Sequence, residues 1–259
     1  MNKNLTYFAS DFHLGASYIK DPRQHETMIV DWLKSIEKKC QRLYLVGDIL
    51  DYWYEYKTVV PRGFVRFFGQ LASMSDSGTE IIWFIGNHDI WIFDYLPNEL
   101  GIKIVDGSLI ENIEGKTFYI THGDGIGKLP GGFRFIRGMF RNRFLQKLYA
   151  GIHPGLTIPF AHGWSSRSRK GNNASESEYT APEGMESAVK WGREYAAEHP
   201  EVNYIIIGHH HSELDETFRD GCRMIILGDW ISKFSYAVFD GMELRLEKYN
   251  YICNRQNPL

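Results

Sequence analysis

The sequence predicts an α/β fold in which a parallel sheet of βαβ units packs on a second sheet and carries an inserted, mainly helical segment. Short apolar runs alternate with stretches of helical spacing from residue 5 onward, the pattern of βαβ units and a parallel sheet. Several of those runs stop at glycine and then deliver Asp, Asn or His, so polar groups fall at strand carboxyl ends, where open α/β sheets put their sites. From Gly125 to about residue 199 the alternation breaks and afterwards resumes.

Residues 5–9 form the first expected strand and run into Ser10-Asp11-Phe12-His13. Asp11 and His13 sit at i and i+2, so an extended turn points both the same way. Taken alone, the pair fits a capping aspartate beside a surface histidine better than a site. Residues 24–39 have helical spacing, with Met28, Trp32, Leu33 and Ile36 on one side. Residues 43–46 are the next strand, ending in Gly47-Asp48-Ile49-Leu50-Asp51-Tyr52-Trp53. The strand–helix–strand order places Asp48 beside Asp11, while Asp51 taken alone reads more readily as a helix cap.

A second helical pattern covers 62–75, and the strand at 81–85 ends in Gly86-Asn87-His88-Asp89. Residues 91–96 read as a short helix or turn closed by Pro97. Strands follow at 102–105, 109–113 and 116–120, with Asp106-Gly107 and Glu114-Gly115 as turns and Thr121-His122-Gly123-Asp124 at the last tip.

Within the break, Phe133, Ile136, Phe140, Phe144 and Leu148 recur at helical spacing, with Arg134, Arg137 and Arg141 along one margin. An ordinary buried helix with a solvated basic edge has the same appearance. A polar loop over 165–180 precedes a further helix at 183–198. The strand at 204–207 ends in Gly208-His209-His210-His211, where His209 and His211 point one way and His210 the other. Alternating segments at 217–218, 223–227, 235–239 and 243–249 read as antiparallel strands of a second sheet packed on the first. The domain reading is a core of 1–124 plus 200–259 and an inserted cap of 125–199.

Bulk properties narrow the function. The 259 residues are 43% hydrophobic and 24% charged, enough for an ample core. A net charge of −3 argues against a polycation built for nucleic acid. Cys40, Cys222 and Cys253 are few and lack metal-type spacing, which points to a reducing compartment. Neither a signal peptide nor a membrane-spanning run is read, so the expectation is an intracellular protein, soluble or peripheral.

The strand ends supply Asp11, His13, Asp48, Asn87, His122, His209 and His211, all oxygen and imidazole donors. That mix suits Mn²⁺, Zn²⁺ or Fe²⁺, and it exceeds what one ion takes. It fits two ions sharing a carboxylate, roughly 3.5–4 Å apart. Asp89 and His210 are read as structural or supporting groups.

The order Asp-x-His, Gly-Asp, Gly-Asn-His-Asp, His-Gly, Gly-His-x-His resembles the calcineurin-like metallophosphoesterases over most of the chain outside the insertion. The resemblance implies a four-layer α/β/β/α sandwich holding two divalent cations, with Mn²⁺ preferred over Zn²⁺ or Fe²⁺. It assigns Asp11, His13 and His211 to one ion, Asn87, His122 and His209 to the other, and Asp48 to both. It also implies a catalytic His88 near the leaving group, oriented by Asp51.

Within that superfamily the chain looks like a divergent relative of bacterial UDP-2,3-diacylglucosamine hydrolases of the lipid A pathway. Asp11-Phe12-His13-Leu14 is similar to their Asp-Leu-His-Leu, and Gly47–Trp53 to their Gly-Asp-Leu-Phe-x-x-Trp. His122-Gly123-Asp124, Leu227-Gly228-Asp229-Trp230 and Ser168-Arg169-Lys170-Gly171-Asn172 have counterparts too. The chain departs from them in carrying His88 where Arg is common, and Gly125-Ile126-Gly127-Lys128-Leu129-Pro130 where they have a Cys-Thr-Asp-x-x-Tyr stretch.

The implied reaction splits the pyrophosphate of the acylated sugar nucleotide into UMP and 2,3-diacylglucosamine 1-phosphate. Arg134, Arg137, Arg141, Ser168, Arg169 and Asn172 are the expected substrate contacts. The expected setting is the cytoplasmic face of the inner membrane, with peripheral contact and neither a nucleic acid nor an obligate protein partner. A general metal-dependent phosphodiesterase or phosphatase, a nuclease, and a metal-free scaffold of the same fold are the alternatives.

Overall fold

Strand β1 (Leu5–Ala9) is buried on both faces because it has neighbours on both sides and a layer above and below. The structure, a computed structural model, describes residues 3–127, 131–157, 182–219 and 221–251. Helix α1 (Pro22–Glu37) starts where the Asp21 side chain accepts from Gln24 N–H and Pro22 presets the first turn. Its apolar side, including Met28, Ile29, Trp32, Leu33 and Ile36, is buried. Then come β2 (Cys40–Leu45), α2 (Val65–Asp76), β3 (Glu80–Phe84), α3 (Tyr95–Leu100) and β4 (Lys103–Val105).

Pro97 does not close the segment before it, as the spacing suggests; it lies in the first turn of α3. The amide it lacks would have no carbonyl to reach there. Gly101, at φ 63°, ends that helix.

β5 (Ser108–Ile113) and β6 (Lys116–Thr121) form a hairpin and lead into α4 (Gly131–Arg141) and α5 (Arg143–Ala150). The expected single stripe of 133–148 is broken at Asn142, whose side chain accepts from Phe144 N–H at 2.9 Å and Leu145 N–H at 3.2 Å. An amide oxygen that caps a new helix competes with continuing the old one. The chain closes with α6 (Pro182–Glu198), β7 (Tyr204–Ile207), β8 (Glu213–Thr217), β9 (Arg223–Leu227), β10 (Ser235–Phe239) and β11 (Leu244–Lys248).

The described strands form two sheets. The six-stranded one runs β11-β10-β1-β2-β3-β4 and the five-stranded one β5-β6-β7-β9-β8. The sequence pattern assigned all the late strands to one antiparallel sheet, and the structure divides them. β10 pairs antiparallel with β1, and β11 with β10, in the first sheet. β9 runs parallel to β7 in the second. Apolar residues on both faces of β10 explain its place: Val238 packs with α1, while Ala237 and Phe239 pack between the sheets.

Three apolar layers hold the sandwich. Trp32, Leu33, Phe67 and Leu71 meet Leu43, Leu45 and Trp83 on the outer side of the first sheet. Phe8, Tyr44 and Phe84 meet Phe118, Ile120, Ile206 and Phe239 between the sheets. Ala188 and Ala196 of α6 meet Ile205, Ile207, Met224 and Ile226 on the far side of the second sheet. The order is therefore helix, sheet, sheet, helix, the four layers that the motif order implied. The outermost helical layer is α6, which the expected insert of 125–199 includes; its small and aromatic residues bury against the second sheet.

Candidate metal centre

Carboxyl ends of parallel strands from both sheets converge. Leaving β1, the chain passes through Asp11 and His13; leaving β2, through Asp48; leaving β3, through Asn87 and His88. β6 and β7, parallel neighbours in the second sheet, deliver His122, His209 and His211. The tips are stitched together by backbone bonds such as Asp11 N–H to Gly47 O, His13 N–H to Asp48 O and Gly208 N–H to His122 O.

Their backbone is unusual. Asp11, His13, Asp48, His209 and His211 have φ between 48° and 68°. The left-handed region costs a non-glycine residue of order 1–3 kcal/mol and clusters at functional sites. Asp and His are among the types that tolerate it. Each such turn bends the chain sharply after the strand and aims its side chain at the shared rim.

Asp11, His13 and His211 offer donor atoms within 4.8 Å of one another, and so do Asp48, His122 and His209. Asp48 Oδ2 lies between the groups, 3.9 Å from His13 Nε2 and 3.4 Å from His122 Nε2. Asn87 Oδ1 is 3.2 Å from His122 Nε2. The Val46 carbonyl, 2.9 Å from His122 Nδ1, can only accept, so Nδ1 carries a hydrogen and Nε2 is the nitrogen that faces the cluster. The sequence-predicted ligands thus come together, brought from both sheets.

Asp51 and His88 form a third group with His13. Asp51 Oδ1 is 3.4 Å from His88 Nδ1 and 3.5 Å from His13 Nδ1. His88 Nδ1 also lies 3.1 Å from the Asp51 carbonyl, which leaves Nε2 to face outward. His88 N–H donates to Asp48 Oδ1 at 2.9 Å, so the loop that carries the imidazole is tied to the central carboxylate.

Electrostatics follow from burial and crowding. Burial opposes charge on His13, but Asp11, Asp51 and Asp48 around the ring raise its pKa to about 10. His122 is likewise buried, and Asp48 and Asp11 hold it well above the imidazole range. Burial would raise Asp11, yet His13, His211 and His122 bring it down to about 2. Asp48 is held well below its usual value against its own burial, by His122, His88 and His13. His209 is pushed well down by burial and by His122 and His210; His211 is lowered first by burial. The carboxylates here demand positive charge.

The cluster fits divalent cations. Asp11 Oδ1 and both ring nitrogens of His13 are buried without a hydrogen-bond partner among the described residues. Such atoms cost about 1–3 kcal/mol each unless something satisfies them. Glycines keep the rim narrow: a Cβ on Gly86 would lie 2.1 Å from Asp48 Oδ1, and one on Gly208 2.9 Å from Asp11 Oδ2. Oxygen and imidazole donors without thiolate match Mn²⁺, Zn²⁺ and Fe²⁺.

Asp89 accepts from Gly86 N–H, Ile49 N–H and Trp83 Nε1–H at 2.8, 2.9 and 3.1 Å, fastening the β2 and β3 tips. His210 is buried with its ring against His209. Sequence reasoning passed over Glu55. It is buried and accepts from Phe93, Asp94, Tyr95 and Leu96 N–H at 2.5–3.1 Å, and from Trp53 Nε1–H at 3.2 Å. It thereby clamps the loop after Asp51 to the start of α3. An acid inside the run Trp53-Tyr54-Glu55-Tyr56 was its sequence signal.

The helices α4 and α5 seat on that clamped loop. Tyr52 and Tyr149 hydroxyls meet at 3.0 Å, Tyr54 donates to Gln146 O, and Trp91 Nε1–H donates to Phe140 O. Trp91 stacks on Tyr149 and meets Phe140 edge-on. The expected substrate arginines meet core carboxylates: Arg137 donates to Asp124 at 2.8 Å, and Arg141 pairs with Asp106 and reaches Asp124 at 3.6 Å. The Arg134 side chain, and Ser168, Arg169 and Asn172, lie outside the described residues. Phe135, Phe144, Leu148 and Leu156 are 74%, 68%, 56% and 70% exposed, and Arg143 and Lys147 of α5 are exposed as well. No helix among the described residues is long and apolar enough to cross a membrane.

A protein of Porphyromonas gingivalis named UDP-2,3-diacylglucosamine hydrolase is 41% identical over 255 residues, covering 95% of this chain and 97% of that protein. One of the same name from Haemophilus influenzae is 24% identical over 233 residues, covering 89% and 92%. Among solved structures, Yfce, a phosphoesterase from E. coli, superposes with a TM-score of 0.44 at 14% identity, covering 91% of this chain and 88% of that one. The model of the family described as calcineurin-like phosphoesterase matches residues 6–213, from β1 through every strand tip described above to the start of β8, and the chain belongs to that family of hydrolases.

Proposed function

We propose that this hydrolase cleaves the pyrophosphate of UDP-2,3-diacylglucosamine at the α-phosphorus, giving UMP and 2,3-diacylglucosamine 1-phosphate. The observation that carries the reading is Asp48 Oδ2, 3.9 Å from His13 Nε2 and 3.4 Å from His122 Nε2. A single carboxylate between two donor groups suits a pair of ions. The similarity to proteins bearing the substrate's name supports the choice of substrate.

Asp11, His13 and His211 would hold one ion, Asn87, His122 and His209 the other, and Asp48 both, with Mn²⁺ preferred. When bound, such ions lower the pKa of water from 15.7 toward about 7 and neutralise phosphoryl charge. The protein's own groups do the rest. Asn87 contributes a neutral oxygen, which limits the negative charge facing an anionic substrate. His88 Nε2 faces outward while Nδ1 is held by Asp51. In the doubly protonated ring, Nε2–H hydrogen-bonds or protonates the bridging oxygen as it leaves with the sugar phosphate, and the ring is left neutral with its hydrogen on Nδ1. The left-handed backbone at the tips keeps these groups oriented before substrate arrives.

The acyl chains need an apolar surface, and the exposed side chains of Phe135, Phe144, Leu148 and Leu156, on the same segment as exposed Arg143 and Lys147, are the candidates for it. Apolar and basic groups side by side also suit peripheral contact with the anionic cytoplasmic leaflet of the inner membrane. Arg137 and Arg141, with Arg134, Ser168, Arg169 and Asn172, are the proposed contacts to the polar head; an incoming phosphate competes with Asp124 and Asp106 for the first two. The test is release of UMP from the diacylated sugar nucleotide by purified protein with Mn²⁺. No UMP, together with brisk cleavage of simple diesters, would sink the assignment and favour a general phosphodiesterase.

A further inference from the structure

Strand β9 ends as the ligand-bearing strands do. Its apolar run passes through Gly228 into a carboxylate, Asp229. Because β9 runs parallel to β7, that end lies at the rim where β7 delivers His211. Asp229 is 5% exposed. Its Oδ1 accepts from Ile231, Ser232 and Lys233 N–H at 2.9, 2.6 and 3.1 Å and closes a tight turn. Its Oδ2 has the Ser232 hydroxyl at 3.2 Å and faces His211 Nδ1 at 3.8 Å.

The opposite nitrogen, His211 Nε2, is 3.6 Å from Asp11 Oδ1. The imidazole thus has one carboxylate at each edge, and its face stacks on His13 with ring centroids 4.8 Å apart. The Asp229 turn is braced against the same cluster. Trp230 N–H donates to Asp11 O at 3.1 Å, and Trp230 O accepts from Nε2–H of the buried His25 at 2.9 Å.

We infer that Asp229 is the positioning residue for His211: its Oδ2 keeps the hydrogen on Nδ1, so that Nε2 turns its lone pair toward the Asp11 side. The inference rests on the two-ion reading above. Carboxylates commonly take the second N–H of a metal-binding histidine, fixing its tautomer and ring angle. At 3.8 Å the two are charge partners about 0.9 Å beyond hydrogen-bond distance, so the inferred bond requires that gap to close when Nε2 takes an ion. The turn's three backbone N–H groups all go to Oδ1, which leaves Oδ2 shared between the Ser232 hydroxyl and the His211 ring.

Asp229→Asn separates the two roles. The amide oxygen can still accept the turn's N–H groups, while the amide NH₂ replaces the acceptor facing His211. Full-length protein is stripped with a chelator, and Mn²⁺ uptake is followed by calorimetry and elemental analysis. Wild type is expected to take up two ions. D229N is expected to melt like wild type when metal-free, to bind one ion unchanged and to bind the other about 10–100-fold more weakly. In the H211A background, D229N should add nothing further, because Asp229 acts through that ring. Unchanged affinity for both ions in D229N, or a loss that adds to that of H211A, overturns the inference. Wild-type protein that takes up no ion overturns the two-ion reading itself.

Discussion

Replacing Gly86 with alanine tests how tightly the strand tips are packed around Asp48. The added Cβ would lie 2.1 Å from Asp48 Oδ1, 2.4 Å from Asp48 N and 2.9 Å from Asp48 Cγ. Real Cβ atoms essentially never come within 3.0 Å of such neighbours, so the tips of β2 and β3 must part by about 0.9 Å. A flexible side chain could swing aside, but a backbone nitrogen cannot. Overpacking of this kind costs about 1–3 kcal/mol, a fall in Tm on the order of 2–12 °C for a chain of this size. The larger consequence falls on the metal-loaded protein. Asp48 moves away from His13 and His122, and the stabilisation that bound ion confers, about 2.7 kcal/mol at a hundredfold excess over Kd, should disappear.

Gly69 is the control. It is exposed in the middle of α2 with nothing within 4 Å of the added atom, so Gly69→Ala should stabilise the protein by about 0.5–1 kcal/mol. The assay is thermal melting of each variant with and without Mn²⁺, with metal content measured in parallel. If G86A melts with wild type and keeps its Mn²⁺-dependent shift, the packing account of the centre is refuted.

His88→Ala should leave both ions bound while kcat falls by about 10²–10⁴, and D51N should fall less; a substrate with a better leaving group should narrow the deficit. Metal loading should release protons. His13 is raised to about 10, so in the metal-free fold its contribution to stability is complete below the ordinary imidazole pKa and lost as pH rises through about 10. Mn²⁺ competes with that proton, so affinity should climb with pH across this window, and calorimetry in buffers of different ionisation enthalpy should count the protons released. Phe135→Ser with Phe144→Ser should weaken binding to anionic vesicles and turnover of the long-chain substrate. Both side chains are largely exposed, so Tm should change little. Unaltered vesicle binding would count against the apolar face as a docking surface.

Some of this protein was legible from residues alone, because strand and helix periods and glycine-ended apolar runs are local signals. The tips at Asp11, Asp48, His88, His122 and His209 could be read as ends of strands without knowing where those strands lay. The same local signals misplaced Pro97 and ran a single helix through Asn142. A proline in a first turn and an amide that caps a new helix are decided by geometry over a few residues, which spacing does not express.

What tertiary structure alone decided is the division of strands between sheets and the convergence of their ends. β10 is apolar on both faces, and only its pairing with β1 shows which layers it fills. The sequence pattern reads β9 as antiparallel and gives Asp229 no partner; its parallel register with β7 turns that carboxylate toward His211. The left-handed backbone at Asp11, His13, Asp48, His209 and His211 has no pattern in the sequence beyond residue types that tolerate it. Strand identity is written in neighbouring residues, whereas a site assembled from both sheets depends on contacts between segments far apart in the chain, and those exist only once the sheets have packed.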